Sequence, residues 1–465
     1  MRLRPAPTLL RREARREARR EARREARREA RRYDREILGL ALPALGALLA
    51  EPLFLLTDSA IIGHLGTQQL AGLGVASAVL LNAVFLCIFL AHGTTGAVAR
   101  LAGAGDLRRA YSQGVDGIWL GLGIGLALAG AGLVVSPWLV DLLGASEGAH
   151  PYAVTYLRVS LFGLPSMLVV LAATGALRGL KNTRTPLLAT GLAAVANVPL
   201  NLVLVYPLGL GVAGSALGTV IAQTGAAAWL CATVVRGTRR HRAPLRPDRP
   251  GIVAAAAANV PLLARTILLR IALLTMTFVA AAAGDVAIAS HQIAFTLWYL
   301  LAMPPESFAI ASQAMVGHAL GASDPSGARA ASRRALAWGF GSGLAIAVLL
   351  VALRPAYIPI FTEDEAVRDL VWSLALVVAA TQPVGALLYV LDGILIGAGD
   401  LRYLAWTMLV ALVVFLPLAA VVHLGGAGVV ALWWALAGWL LARQIAVALR
   451  YRSGAWLKVG TVHPG

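Results

Sequence analysis

Apolar residues in this chain run in long unbroken stretches, unlike the short alternations of strands or the one-sided stripes of soluble helices. Twelve stretches reach the roughly 20 residues that a helix needs to cross a hydrocarbon core. They cover residues 37–62, 69–98, 113–139, 152–176, 186–207, 212–235, 253–282, 287–317, 330–353, 370–395, 403–422 and 427–449. The pattern predicts an all-α integral membrane protein with twelve transmembrane helices.

Displacing the chain by 218 residues brings its punctuation into register. Pro43 falls on Pro261, Pro137 on Pro355, Pro165 on Pro383 and Pro199 on Pro417. Glycines agree, with Gly103 on Gly321, Gly175 on Gly393 and Gly179 on Gly397. Six spans fit within one displacement, and an even number returns the chain to the same side, so the halves are parallel repeats forming two six-helix lobes. The expected organisation is an arm over 1–36, an N-lobe over 37–235, a basic linker over 236–252, a C-lobe over 253–449 and a tail over 450–465. Duplicated membrane halves commonly hold a transport site between them.

Composition supports the bilayer: 58% of residues are hydrophobic and 14% charged, with mean hydropathy +0.74, too apolar to coat a soluble globule. The net charge of +17 would suit nucleic acid, but its distribution points to topology instead. Loops after even-numbered spans carry Arg100, Arg108 and Arg109, then Arg178, Lys181 and Arg184, then six arginines from Arg236 to Arg249, then Arg329, Arg333, Arg334 and Arg402. Loops after odd-numbered spans carry Arg354 and Arg368 beside Glu363, Asp364, Glu365 and Asp369. The positive-inside rule then puts both termini in the cytoplasm of a bacterial-type plasma membrane, with no nucleic-acid partner expected.

Residues 11–32 repeat Arg-Arg-Glu-Ala, giving 12 arginines and five glutamates. No apolar core follows at signal-peptide spacing. A fluctuating or membrane-dependent helix is expected, either resting on anionic lipid headgroups or serving only orientation. Cys87 and Cys231 are too remote for a disulfide framework.

Ionisable groups inside spans cost about 2.5–3.5 kcal/mol each on insertion scales, so they mark mechanism. Six stand out: Glu51, Asp58, Arg265, Arg270, Glu306 and Asp392. Glu51 and Asp58 share a helix face about 10 Å apart. Arg270 lies one residue from the repeat equivalent of Glu51, so the two are expected to pair if spans one and seven face each other. Asn197 and Asn201 share a face of span five beside Pro199, as ion-coupling or interhelical groups. Glu306 follows Pro304 and Pro305, where a broken helix should line a cavity, and is a substrate or gating candidate together with Arg270. His92, His291, Gln292 and Gln313 are read as satisfied by neighbours, and Asp392 as solvated or capping at the end of span ten. No nucleotide-binding loop, metal-ligand spacing or nucleophile elbow occurs. The expectation is no cofactor, with an ion gradient as energy source.

The segment TDSAIIGHLG at Thr57–Gly66 resembles the end of span one in the multidrug and toxic compound extrusion (MATE) family, in its DinF-type branch. LAGAGDLRRA at 101–110, ALRGLKNTRTP at 176–186, ARTILLR at 264–270 and LDGILIGAGD at 391–400 extend the resemblance over roughly residues 36–450. It implies two lobes in a V that export organic compounds against protons or sodium. It also assigns the coupling acid to Asp58 and the polar pair of span five to Asn197 and Asn201. Some relatives carry an aspartate at the second span-five position. Asn201 leaves Asp58 as the sole acid of that cluster, with Glu51 the natural second acid to test. A proton taken up on one side and released on the other as Asp58 changes hydration would drive alternating access. For sodium, Asp58, Asn197, Asn201 and Thr57 would supply oxygen ligands.

A lipid-carrier flippase of the same superfamily usually has more spans and a wide cationic cavity; a major-facilitator transporter has a strongly basic loop after span two. An integral-membrane enzyme would gather its acids at one interface. The expected substrate is a small amphipathic or cationic compound, and the protein is expected to act as a monomer.

Overall fold

The computed structural model describes residues 7–461, and every regular element among them is helical. Span one is α1 (Pro7–Gly63), continuous with the Arg-Arg-Glu-Ala arm, so the arm extends the first span as one helix. Span two is broken into α2 (Thr67–Leu86) and α3 (Phe89–Gly103), and span three is α4 (Leu107–Leu142). Span four bends by 48° between α5 (His150–Leu161) and α6 (Leu164–Gly179). Spans five and six are α7 (Arg184–Val205) and α8 (Gly211–Arg240).

The second half repeats the plan. Span seven is α9 (Arg249–Ala282), and span eight is α10 (Asp285–Leu301) followed by α11 (Met303–Gly321). Its break falls just before Pro304 and Pro305, as their missing N–H groups demand. Span nine is α12 (Pro325–Ala352), and a short α13 (Arg354–Phe361) leads to span ten, α14 (Glu365–Gly397). Spans eleven and twelve are α15 (Leu401–Leu424) and α16 (Gly428–Ser453). Bulky apolar side chains such as Val134, at 80% exposure, and Leu424, at 84%, point outward, as lipid-facing residues should. Twelve spans bring the two ends of the chain to one side, called here the terminal face.

The lobes meet at the terminal face, where α3 packs on α11. Gly103 lies against the His318 carbonyl and Gly321 against the Arg100 carbonyl, so close that a Cβ on either glycine would overlap the opposing oxygen. These contacts are the same contact displaced by 218 residues, with Arg100 equivalent to His318 and Gly103 to Gly321, and they cross the pseudo-twofold axis. Within the lobes, Gly175 meets the Ala91 carbonyl and Gly393 the Ala309 carbonyl, again one displacement apart. Small residues that let backbones touch are the main device for holding helices together in lipid, where burial of apolar surface gives no preference.

Spans one and seven do not face each other. α1 packs on α7 and α11, while α9 packs on α15, α4 and α3, each crossing to the middle of the other lobe. Polar contacts reinforce the terminal face: Asp34 accepts from Arg334 and from Trp338 (2.9 Å), joining α1 to α12. Arg100, expected as a loop charge, is buried and donates to the carbonyls of Ala398 (2.6 Å), Gly460 (2.9 Å) and Lys458. The tail is thereby folded onto the lobe junction, with Trp456 buried.

Gly393→Leu is expected to force α14 from α11 and to destabilise the protein by about 1–3 kcal/mol, the usual penalty of overpacking. Thermal unfolding in detergent would read this as a lowered Tm, and an unchanged Tm would remove the close approach.

Candidate functional site

Two buried carboxylates, one in each lobe, organise the polar interior in different ways. Asp58 sits near the end of α1, only 3% exposed. Its Oδ1 accepts from Asn201 Nδ2 (2.5 Å), and its Oδ2 accepts from the Tyr156 hydroxyl (2.9 Å) and from Thr219 Oγ1 (3.2 Å). Asn201 Nδ2 also reaches Asn197 Oδ1 (3.2 Å), and Asn197 Nδ2 donates to Thr219 Oγ1 (3.0 Å), closing a ring across α1, α5, α7 and α8. Spacing produces this convergence: Asn197 and Asn201 are four residues apart on α7, as Ser215 and Thr219 are on α8. Gly218 makes the room, because a Cβ there would overlap Asn201 Oδ1. No cation lies within ion-pair distance of Asp58 among the described residues. Asn201 Oδ1 and Ser215 Oγ are buried without partners.

The structure therefore brings together Asp58, Asn197 and Asn201 and adds Tyr156, Ser215 and Thr219, which the sequence reading passed over. A signal was available in Ser215 and Thr219, a polar pair at helical spacing in an apolar span. Thr57 does not join the cluster, because its hydroxyl turns back to the Leu53 carbonyl (2.8 Å). Glu51 shares the helix face but stays outside the ring, exposed on the helix surface and with no hydrogen-bond partner among the described residues.

The expected Glu51–Arg270 ion pair is absent. Arg270 instead places its guanidinium 3.8 Å from the centre of the Phe85 ring, on span two. The reason is that α9 crosses to span two, packing on both α3 and α2, rather than to α1. Glu51, Arg270 and Glu306 still share one neighbourhood, since all three lie within electrostatic reach of Tyr299. Glu306 stands in the first turn of α11, facing His92 Nε2 across the lobe boundary at 3.8 Å. Gln313 donates to the His92 carbonyl (2.5 Å), so it is satisfied by a neighbour as expected, and the two residues join the lobes at a polar recess.

Asp392 corrects the sequence reading most. It is 4% exposed and buried in α14, and its Oδ2 accepts from Arg265 Nη2 (2.6 Å) and Arg443 Nη2 (2.5 Å). Solvated capping is excluded by that burial. Arg443, on span twelve, was missed because a lone arginine near a helix end reads as a topology signal. No group of three His, Cys, Asp or Glu side chains able to hold a metal occurs among the described residues.

The MatE family model matches residues 43–203 and again 261–421, two segments offset by 218 residues at both ends. The chain belongs to the MATE family. Among similar proteins is Protein DETOXIFICATION 44, chloroplastic, of Arabidopsis thaliana, 30% identical over 90% of this chain and 83% of that protein. DNA damage-inducible protein F of Escherichia coli is 28% identical over 91% and 94%. The fold matches that of a Vibrio cholerae MATE transporter in its bent form with a TM-score of 0.83, at 20% identity over 92% of this chain and 99% of that one. This MATE transporter thus holds a neutral-donor carboxylate in one lobe and a doubly paired one in the other.

A double-mutant cycle of Tyr156→Phe and Asp58→Asn, read by thermal unfolding, is expected to give a coupling of about 0.5–3 kcal/mol, as for groups in one network. Additive effects would remove the Tyr156–Asp58 contact.

Proposed function

We propose that this MATE transporter is a proton-coupled antiporter that exports small amphipathic organic compounds by alternating access, without a cofactor and without catalysing a reaction. The observation that carries this reading is Asp58: a buried carboxylate held by three neutral N–H and O–H donors with no cation to fix its charge. Burial favours the protonated form of a carboxylate and hydration the ionised form, so a group with changing access to water can carry a proton across. Asp392 is less suited, because two guanidiniums already neutralise it.

A proton on Asp58 would turn one acceptor into a donor. The ring offers a ready acceptor in the unpartnered Asn201 Oδ1, reached by rotation of the amide, which would reverse the Asn201–Asn197 bond. That bond lies beside Pro199 in α7, where the missing backbone hydrogen bond lowers the resistance to bending. Protonation would thus be felt as a change in the shape of span five. Sodium is the weaker reading: a hard cation needs about six oxygen ligands, whereas the hydrogen bonds that reach Asp58 are all donated to it and leave only Asn201 Oδ1 and Ser215 Oγ unpartnered nearby. The basic terminal face supports a cytoplasmic position for both termini, and hence export through the opposite face. Rocking of the lobes 37–235 and 253–449 would then begin by breaking the glycine contact between α3 and α11.

In vesicles with the purified protein, a pH gradient is expected to drive transport of members of a panel of fluorescent amphiphiles of either charge, and a sodium gradient is not. Asp58→Asn should abolish the gradient-driven flux while the protein still folds and unfolds in one cooperative thermal transition. Full flux in Asp58→Asn sinks the scheme, and flux driven by sodium alone replaces the coupling ion.

A further inference from the structure

We infer that the recess around Asp392 is a binding site for an amphipathic organic carboxylate, so that the compounds moved by this transporter include organic anions. The inference rests on the transport reading above and gives it a substrate class.

Two guanidiniums and one carboxylate leave one positive charge uncompensated. Arg443 is 5% exposed, Arg265 is half-buried, and both line the recess. Each spends only Nη2 on the protein, both on the same oxygen of Asp392. Nε of each is buried with no acceptor, and Nη1 of each has none among the described residues. Guanidinium donors withdrawn from bulk water need an acceptor, and the planar fork of Arg is matched by a carboxylate. Neighbouring charges do not cancel the excess. Glu306 and Asp392 both line the adjoining recess with Arg265, and Glu306 also lies within electrostatic reach of the buried Arg178, so across both recesses and that neighbour Arg178, Arg265 and Arg443 stand against two acids.

The rest of the wall specifies the body of the ligand. Leu269, Trp298, Leu440 and Trp439 present apolar and aromatic surface, while Thr381 and Gln382 add two neutral polar groups. A compound with a carboxylate at one end and a flat apolar body at the other satisfies both parts. An ammonium group would be repelled by the pair of guanidiniums; Asp392 gives its Oδ2 to them and keeps only a buried Oδ1 without a partner. Asp392 acts here as a placeholder, holding the two arginines in position for an incoming carboxylate that can share them.

The test uses the full chain in lipid nanodiscs and a size-matched probe pair, 1-naphthoate and 1-naphthylmethylammonium, with binding followed by naphthalene fluorescence. Naphthoate is expected to bind about tenfold more tightly than the ammonium, the effect of one charge-assisted bidentate contact. Arg443→Gln and Arg265→Gln should each weaken naphthoate about tenfold while leaving the ammonium unchanged. Asp392→Asn, which removes the competing carboxylate, should strengthen naphthoate. If Arg443→Gln does not fold, Arg443→Lys keeps the charge without the fork and should still weaken naphthoate. Equal or tighter binding of the ammonium overturns the proposal, as does naphthoate binding indifferent to both arginines. Counterflow in vesicles separates the two readings. Arginine-dependent naphthoate binding with no gradient-driven flux of either probe supports this site and defeats antiport; proton-driven flux of the ammonium alone supports antiport and defeats this site.

Discussion

Everything else in the molecule depends on how closely two backbones approach at its pseudo-twofold axis. In lipid there is no solvent to drive helices together, so association relies on short contacts and on polar groups that cross between elements. Gly103 and Gly321 supply the first by admitting a carbonyl where any side chain would collide. Arg100 supplies the second from the same turn, gathering the carbonyls of Ala398, Lys458 and Gly460 and so tying the tail and span ten to span two. Because the glycine contact is made twice by symmetry, widening it on one side widens it on the other. The terminal face is closed as a unit, and the polar interior between the lobes keeps its depth.

On that symmetric frame the two lobes carry unlike chemistry. The Asp58 cluster gathers neutral donors from three helices around a carboxylate on a fourth. The Asp392 cluster gathers guanidiniums from spans seven and twelve around a single oxygen. The first carboxylate has no counter-charge beside it among the described residues, whereas the second has two. Neither lobe duplicates the other's polar set, although their glycines and prolines coincide. Duplication kept the geometry of the helices and let the interior diverge.

Much of this was legible in the sequence, and for identifiable reasons. Span existence follows from length and apolarity, which are local properties, so all twelve runs became helices. The 218-residue register located the glycine contacts without revealing that they would touch one another across the axis. Asp58, Asn197 and Asn201 could be grouped because helical spacing puts the amides on one face. Tyr156, Arg443 and the pairing of Asp392 could not, because they depend on which faces of distant helices meet. The expected pairing of Glu51 with Arg270 failed for the same reason: equivalence under a repeat says that two residues occupy like places, which is different from saying that those places adjoin.

Asp34 and Asp58 lie on the same continuous helix, 24 residues and about 36 Å apart. At one end the helix is fastened to span nine of the opposite lobe through Arg334 and Trp338; at the other it carries the N-lobe carboxylate. Span one is therefore a member shared by both halves, and the lobes are not two independent rigid bodies. To part them at the terminal face, either the clasp at Asp34 must release or the shaft must flex between its ends. Pro43 and Pro52 lie on that shaft, each missing a backbone hydrogen bond, which makes them the mechanically soft points of a beam otherwise stiff along its length.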